Sequence, residues 1–195
     1  MILAGGRSMR MGRDKAPLEI GGVPLIRRVH DALAAHCEEV IVVGPGKTAE
    51  LVGARSVSDL RPGREGPLAG MEAGLTAARN PLVFVAATDL PFIPAKLVEY
   101  LLRRVAEHQL RAAVPRWHGR PHPLCAAYTR GILPSLGTAL DGEVRAVRGL
   151  LEGVEGVEYV EEELRRFGEP DVFLMNVNEP GDLDLARTLT RGCKR

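Results

Sequence analysis

Residues 22–44 read GVPLIRRVHDALAAHCEEVIVVG, and the reading of this stretch decides the fold class. Pro24 suits a first helical position, because its fixed φ is already helical and its missing N–H is one that would have no partner there. Leu25, Val29 and Leu33 then recur at steps of four and make one apolar face. The run Val40–Val43 follows, ended by Gly44-Pro45. A short, continuous, β-branched run with no polar alternation is the pattern of a strand covered on both faces.

The same unit recurs outward from this stretch. Upstream, Met1–Leu3 form a short first strand before a glycine-rich loop. Three residues are few for a strand, which leaves room for a natural start slightly upstream. Downstream, KTAELVGA (47–54) reads as a short helix and SVSD (56–59) as a short strand ending in Asp59. LRPGREGP (60–67) is a loop crossing within the fold rather than a domain boundary. LAGMEAGLTAAR (68–79) reads as a helix and PLVFVAATDLP (81–91) as a strand of Val and Phe. Pro94 opens the helix AKLVEYLLRRVAEHQ, and RAAVPRW (111–117) and PLCAAY (123–128) read as a pair of strands, antiparallel if they are neighbours. Two helices within 132–152, the segments VEYVEE and VFLMNVN, and a last helix from Pro180 to about Arg191 complete the chain. Strands alternating with helices predict an α/β fold: a mostly parallel sheet with helices on both faces, as one domain over 1–195.

Composition narrows the function. Lys and Arg number 26 against 25 Asp and Glu, a net charge of +1. This argues against a nucleic-acid or membrane-surface binder, which carries a basic excess. The three cysteines, Cys37, Cys125 and Cys193, are far apart and odd in number, so a disulfide framework is not expected and a cytoplasmic setting is. No long apolar run suggests a membrane span.

Ligands of open α/β sheets gather at the carboxyl ends of the strands, and three features fall there. The first is the loop LAGGRSMRMGRDK (3–15), with Gly5-Gly6 followed by Arg7, Arg10, Arg13 and Lys15. Glycines let several backbone N–H groups turn toward one anion, and the cations add charge-assisted bonds to phosphate oxygens. Four cations within nine residues after a strand point to a polyphosphate. The second is Asp59, which could bind a nucleotide or cap the loop that follows. The third is Asp89, which alone reads as a turn cap but opposite a polyphosphate reads as a Mg²⁺ ligand.

Other signals carry less. GPGKTAE (44–50) ends like a Walker A loop, but Ile41 stands where that loop needs its first glycine. His118, His122 and Cys125 lack a fourth zinc ligand, which favours a structural or substrate-facing role. No G-x-S-x-G elbow or Ser/His/Asp set is evident.

LAGGRSMRMGRDK resembles the L-A-G-G-x-S-x-R-M-G-x-D-K signature of molybdenum cofactor guanylyltransferases, the MobA-like family. LEIGGVPLIRRV, GPLAGMEAGL, TDLPFIP, RPHPLCAAY and NVNEPGDL resemble later segments of that family in order, over nearly the whole chain. The resemblance implies a Rossmann-like nucleotidyltransferase fold and transfer of GMP from GTP to the molybdopterin cofactor, with release of pyrophosphate. It implies nucleotide contacts from Leu3, Ala4, Gly5 and Gly6, and phosphate contacts from Arg10 and Lys15. It implies GTP binding by Asp59 and Mg²⁺ held by Asp89. His122, Asn176 and Asn178 would face molybdopterin. GTP and molybdopterin would be the substrates, and a molybdopterin-delivering protein or recipient molybdoenzyme the protein partners. Val43 stands where the family often has Asn, and Glu179 stands where it has Thr. The close rival is a molybdenum cofactor cytidylyltransferase, which tends to read L-A-A-G and D-Q-P. Gly5, lacking a methyl group, leaves more room for a purine. A rival of another class is a non-catalytic nucleotide-binding regulator on the same fold.

Overall fold

The computed structural model describes residues 1–4, 15–61, 66–142, 144 and 146–192. Gly5, Gly6 and Arg10, with Arg7 and Arg13, lie outside the described residues. The chain runs β1 (Ile2–Leu3), β2 (Glu19–Ile20), β3 (Val23–Pro24), α1 (Leu25–Ala34), β4 (Ile41–Val43), α2 (Gly46–Glu50) and β5 (Arg55–Val57). It continues through α3 (Pro67–Ala77), β6 (Leu82–Ala87), α4 (Ala95–Glu107), β7 (Ala112–Trp117), β8 (Arg120–Pro121) and β9 (Cys125–Thr129). Helices α5 (Leu133–Asp141) and α6 (Val147–Glu152), strand β10 (Val157–Val160), and helices α7 (Pro170–Phe173) and α8 (Pro180–Gly192) complete it.

The main sheet has the order β10-β7-β9-β6-β1-β4-β5, with β8 paired to β7. It is mostly parallel: β1 pairs in parallel with β4 and β6, β4 with β5, and β7 with β10. Only β9 runs against its neighbours on this path, pairing antiparallel with β6 and β7. The expected antiparallel pair, RAAVPRW with PLCAAY, is thus present.

Strand periodicity sorts the core into two layers. Ile2, Val42, Phe84 and Ala86 face α1 and α4 through Ile26, Val29, Leu33, Leu97 and Leu101. Their sequence neighbours Leu3, Ile41, Val43, Val83 and Val85 face the other way, onto α3 and α5 through Leu68, Met71, Leu75 and Leu136. Successive residues of a strand point to opposite faces, so a continuous apolar run needs helices on both. Helix α3 sits closest: a Cβ on Gly74 would overlap the Met1 sulfur and stand 2.9 Å from a Val43 methyl carbon.

Two segments add to the sequence reading or depart from it. Pro24 does not open the first helix; it ends β3, and α1 starts at Leu25. The cause is Gly21-Gly22, with φ of +62° and +78°, which makes the tight turn of a β2–β3 hairpin. The run 172–178, left without an assigned element by the sequence, forms no strand. It starts inside α7, and Leu174 N–H donates to the Pro170 carbonyl at 3.0 Å, so the chain is still turning there. Val177 then packs with Leu18, Ile20, Leu25, Leu183 and Ala186, which fastens α8 to the hairpin. No described helix is long and apolar enough to cross a membrane.

Candidate active site

Strand register brings the site together. Leu3, Val43, Val57 and Ala87 lie level with one another, since Leu3 pairs with both Val43 and Ala87 and Val43 pairs with Val57. Whatever follows each of these residues leaves the sheet at the same edge. There the glycine-rich loop leaves β1, Asp59 follows β5, and Thr88-Asp89 follow β6. The connections also part here: β4 lies on one side of β1 and β6 on the other, the point in an open α/β sheet where ligands bind.

Thr88 fixes the exit from β6. Its backbone N–H and hydroxyl both donate to the Leu3 carbonyl, at 3.2 and 2.9 Å. The Ala4 N–H donates to the Val43 carbonyl at 2.8 Å. The ends of β1, β4 and β6 are therefore tied together, and Asp89 is carried on a rigid stem.

Asp89 is the centre of a polar group drawn from three distant parts of the chain. Its Oδ2 lies 3.6 Å from Lys15 Nζ, and its Oδ1 accepts from the Asn176 side-chain amide at 3.0 Å. Lys15 Nζ donates to Asn178 Oδ1 at 2.8 Å. The Val177 N–H, between the two asparagines, donates to the Asp89 carbonyl at 2.8 Å. Val177 is fully buried, so its neighbours Asn176 and Asn178 are turned toward the polar side. Lys15 is itself placed by the Leu18 N–H, which donates to its carbonyl at 2.9 Å and leads into the hairpin. Lys15 and Asp89 side chains keep 18% and 20% exposure, enough for a ligand to reach both.

Asp59 stands at the first turn of α3, its Oδ1 4.0 Å from where a Cβ on Gly70 would sit. The same Cβ would be 3.3 Å from a Leu3 side-chain carbon, so glycine keeps α3 close to the ends of β1 and β4. The next residues are braced by Arg61, which forms a two-pronged pair with Glu72 at 2.8 Å on both bonds and also binds Asp141.

His122 lies on the β8–β9 connection at the same edge. Its N–H donates to the Pro115 carbonyl at 2.8 Å, and the Ala87 N–H donates to the Leu124 carbonyl at 2.9 Å. The buried Tyr128 hydroxyl donates to the Pro123 carbonyl at 2.7 Å and holds the His-Pro pair in place. Burial, reinforced by Arg120, lowers the pKa of His122 and favours neutral imidazole. His118 is separate, at the tip of the β7–β8 turn, where it and the Trp117 indole both meet Asp171. Cys125 is fully buried in β9 with its thiol pushed up to about 12, so it offers no thiolate.

Among the described residues no cluster of three or more His, Cys, Asp or Glu is placed to hold a metal. A lone carboxylate such as Asp89 suits an ion that takes most of its oxygens from phosphate and water. A cavity of about 360 Å³ lies at the opposite pole, lined by Met1, Cys37, Phe84 and Arg103, and shares no residue with this group.

The pairing of Asn176 with Asp89, 87 residues away, was not legible in the sequence, nor was that of Lys15 with Asn178. The one local signal is an Asn-Val-Asn alternation with an apolar residue in the middle. Asp182 was also missed; its Oδ2 accepts the N–H groups of Asn178 and Glu179, both at 2.8 Å.

The chain that builds this edge matches a known family. The family model described as a MobA-like NTP transferase domain covers residues 1–162. The chain belongs to that family. Among MobA-like relatives, a probable molybdenum cofactor guanylyltransferase of Pelotomaculum thermopropionicum is 38% identical over all of this chain and 94% of its own length. One from Mycobacterium avium is 33% identical over 94% of this chain and 91% of its own. The crystal structure of molybdopterin-guanine dinucleotide biosynthesis protein A from Archaeoglobus fulgidus superposes with a TM-score of 0.84 at 28% identity, covering 98% of this chain and 97% of that one. The β10-to-β5 sheet is thus the MobA-like sheet, and the Asp89 group lies at its carboxyl edge.

Proposed function

We propose that the chain transfers GMP from GTP to the terminal phosphate of the molybdenum–molybdopterin cofactor, giving molybdopterin guanine dinucleotide and pyrophosphate. One observation carries the reading: a lysine, a carboxylate and two asparagines meet at the sheet edge where the glycine-rich loop of a MobA-like transferase begins. Leu3, Ala4, Gly5, Gly6 and Asp59 make the nucleotide side. His122, Asn176 and Asn178 make the molybdopterin side, the asparagines linking it to Lys15 and Asp89.

In the reaction a phosphate oxygen of molybdopterin forms a bond to the α-phosphorus of GTP, and the bond from that phosphorus to the bridging oxygen of pyrophosphate breaks. Both reactants are anions, so the barrier is dominated by charge. Lys15, exchanging Asn178 for phosphate oxygens, and Arg10 offset charge that grows on the leaving group. Each charge-assisted bond of this kind contributes about 1.5–3 kcal/mol. The nucleophile is already ionised at neutral pH and needs no general base. His122, which burial keeps neutral, serves as a hydrogen-bonding group for the acceptor.

Asp89 would hold a Mg²⁺ ion: its carboxylate is partly exposed and stands beside Lys15 at the sheet edge. Such an ion supplies Lewis-acid stabilisation of phosphoryl oxygens. A glycine at position 5 carries no methyl group, which on chemical grounds favours a purine over a pyrimidine.

Pyrophosphate release on mixing the protein with GTP, molybdopterin and Mg²⁺ tests the reading. It is expected only when the acceptor is present, and to stop when a chelator is added. Equal release with and without molybdopterin would rule out group transfer to it.

A further inference from the structure

The first turn of α8 is wired to the charged pair. Asp182 points back from this turn, and its Oδ2 accepts the N–H groups of both Asn178 and Glu179, at 2.8 Å each. These amides precede the helix and have no helical acceptor. The turn is closed from the other side by Asp182 and Leu183 N–H groups donating to the Glu179 carbonyl, at 3.1 and 3.3 Å. One residue earlier, the chain is pinned by buried Val177, whose N–H meets the Asp89 carbonyl at 2.8 Å. The backbone of Asn178 is therefore held on both sides. Its side-chain Oδ1 accepts from Lys15 Nζ at 2.8 Å.

We propose that Asp182 is a positioning residue for the transfer reaction, acting through Asn178 to hold the Lys15 ammonium beside Asp89. The proposal rests on the reading of Lys15 as a phosphate-binding group, since that is what positioning Lys15 would serve. A cap that only stabilised α8 would leave Lys15 where it is. A positioning carboxylate makes the location of Lys15 depend on a residue that never touches it.

The test is a double-mutant cycle with Asp182→Ala and Asn178→Ala, read as kcat and as KM for GTP. Asp182→Ala is expected to lower kcat by about tenfold, within the range of coupling seen in a shared hydrogen-bond network. The double variant is expected to be no slower than Asn178→Ala alone. Asp182→Asn keeps an acceptor oxygen and is expected to recover most of the loss. Losses that multiply in the double variant would overturn the proposal, because Asp182 would then act independently of Asn178.

A second arm needs no turnover. The lysines are dimethylated with ¹³C-formaldehyde, and the Lys15 signal is assigned by its loss in Lys15→Arg. In nucleotide-free protein this signal is expected to move in Asp182→Ala to where it lies in Asn178→Ala. A signal that stays in its wild-type position in Asp182→Ala would overturn the proposal. If wild type forms no dinucleotide, the functional reading fails, and the lysine signal still decides whether Asp182 positions Lys15.

Discussion

Asp89 has two carboxylate oxygens with different neighbours. One takes the Asn176 amide at 3.0 Å; the other faces Lys15 at 3.6 Å. The asparagine fixes the rotation of the carboxylate, and the lysine balances its charge. Lys15 thus stands between two protein acceptors, Asn178 and Asp89, and in the proposed reaction exchanges Asn178 for phosphate. Lys15→Ala is expected to lower turnover at limiting GTP by about a hundredfold or more, the scale of losing one preorganised donor to developing charge. Near wild-type turnover by that variant would remove Lys15 from the chemistry.

His122 carries a pH prediction at the same scale. Burial, reinforced by Arg120, sets its pKa below the ordinary value, which is about 6.5. The unfolded chain therefore takes up this proton more readily than the folded one. The stability that depends on neutral His122 is fully present above about pH 6.5 and is lost as pH falls toward the lowered folded value. His122→Asn is expected to flatten the fall in melting temperature between neutral and mildly acidic pH. A slope identical to wild type would show that His122 is not linked to folding.

At the scale of elements, α3 and the hairpin matter most. Helix α3 is buried along most of its length and approaches β1 and β4 through Gly70 and Gly74. A valine at 74 has no room beside Met1 and Val43. Gly74→Val is expected to cost about 1–3 kcal/mol in chemical denaturation, the usual cost of overpacking a core. No change in midpoint would mean that α3 can shift away from the sheet. The helices and central strands were legible because burial on one helix face, or on both strand faces, leaves a period in the sequence. The β2–β3 hairpin was hidden by Pro24, which fits both the end of a short strand and the start of a helix. The segment after α7 had no legible element for a related reason. Phe173, Leu174 and Val177 are all buried, but by a turning chain whose N–H groups go to α7 and to Asp89 instead of a strand ladder. Of the candidate site, the glycine-rich loop and Asp89 were legible as residue types at strand ends. The joining of Asp89 to Asn176 and of Lys15 to Asn178 was not, because contacts across 87 and 163 residues leave no local period.

Across the whole molecule, the register of β1, β4, β5 and β6 is what turns sequence-distant groups into one edge. Helix α8 closes the arrangement from the carboxyl end, packing on the hairpin through Leu183 and Ala186. The hairpin carries Lys15 at its entrance, so one small apolar cluster keeps lysine and asparagines in the same place. This is why the site draws on both ends of the chain. The central claim is that this edge joins a guanine nucleotide to molybdopterin. The most direct measurement incubates the protein with Mg²⁺, molybdopterin and, in separate reactions, GTP, CTP, ATP or UTP, and identifies the dinucleotide formed. The account predicts molybdopterin guanine dinucleotide from GTP and little product from the others. Product from CTP without product from GTP would contradict the base assignment, and no product from any of them despite tight nucleotide binding would contradict catalysis itself.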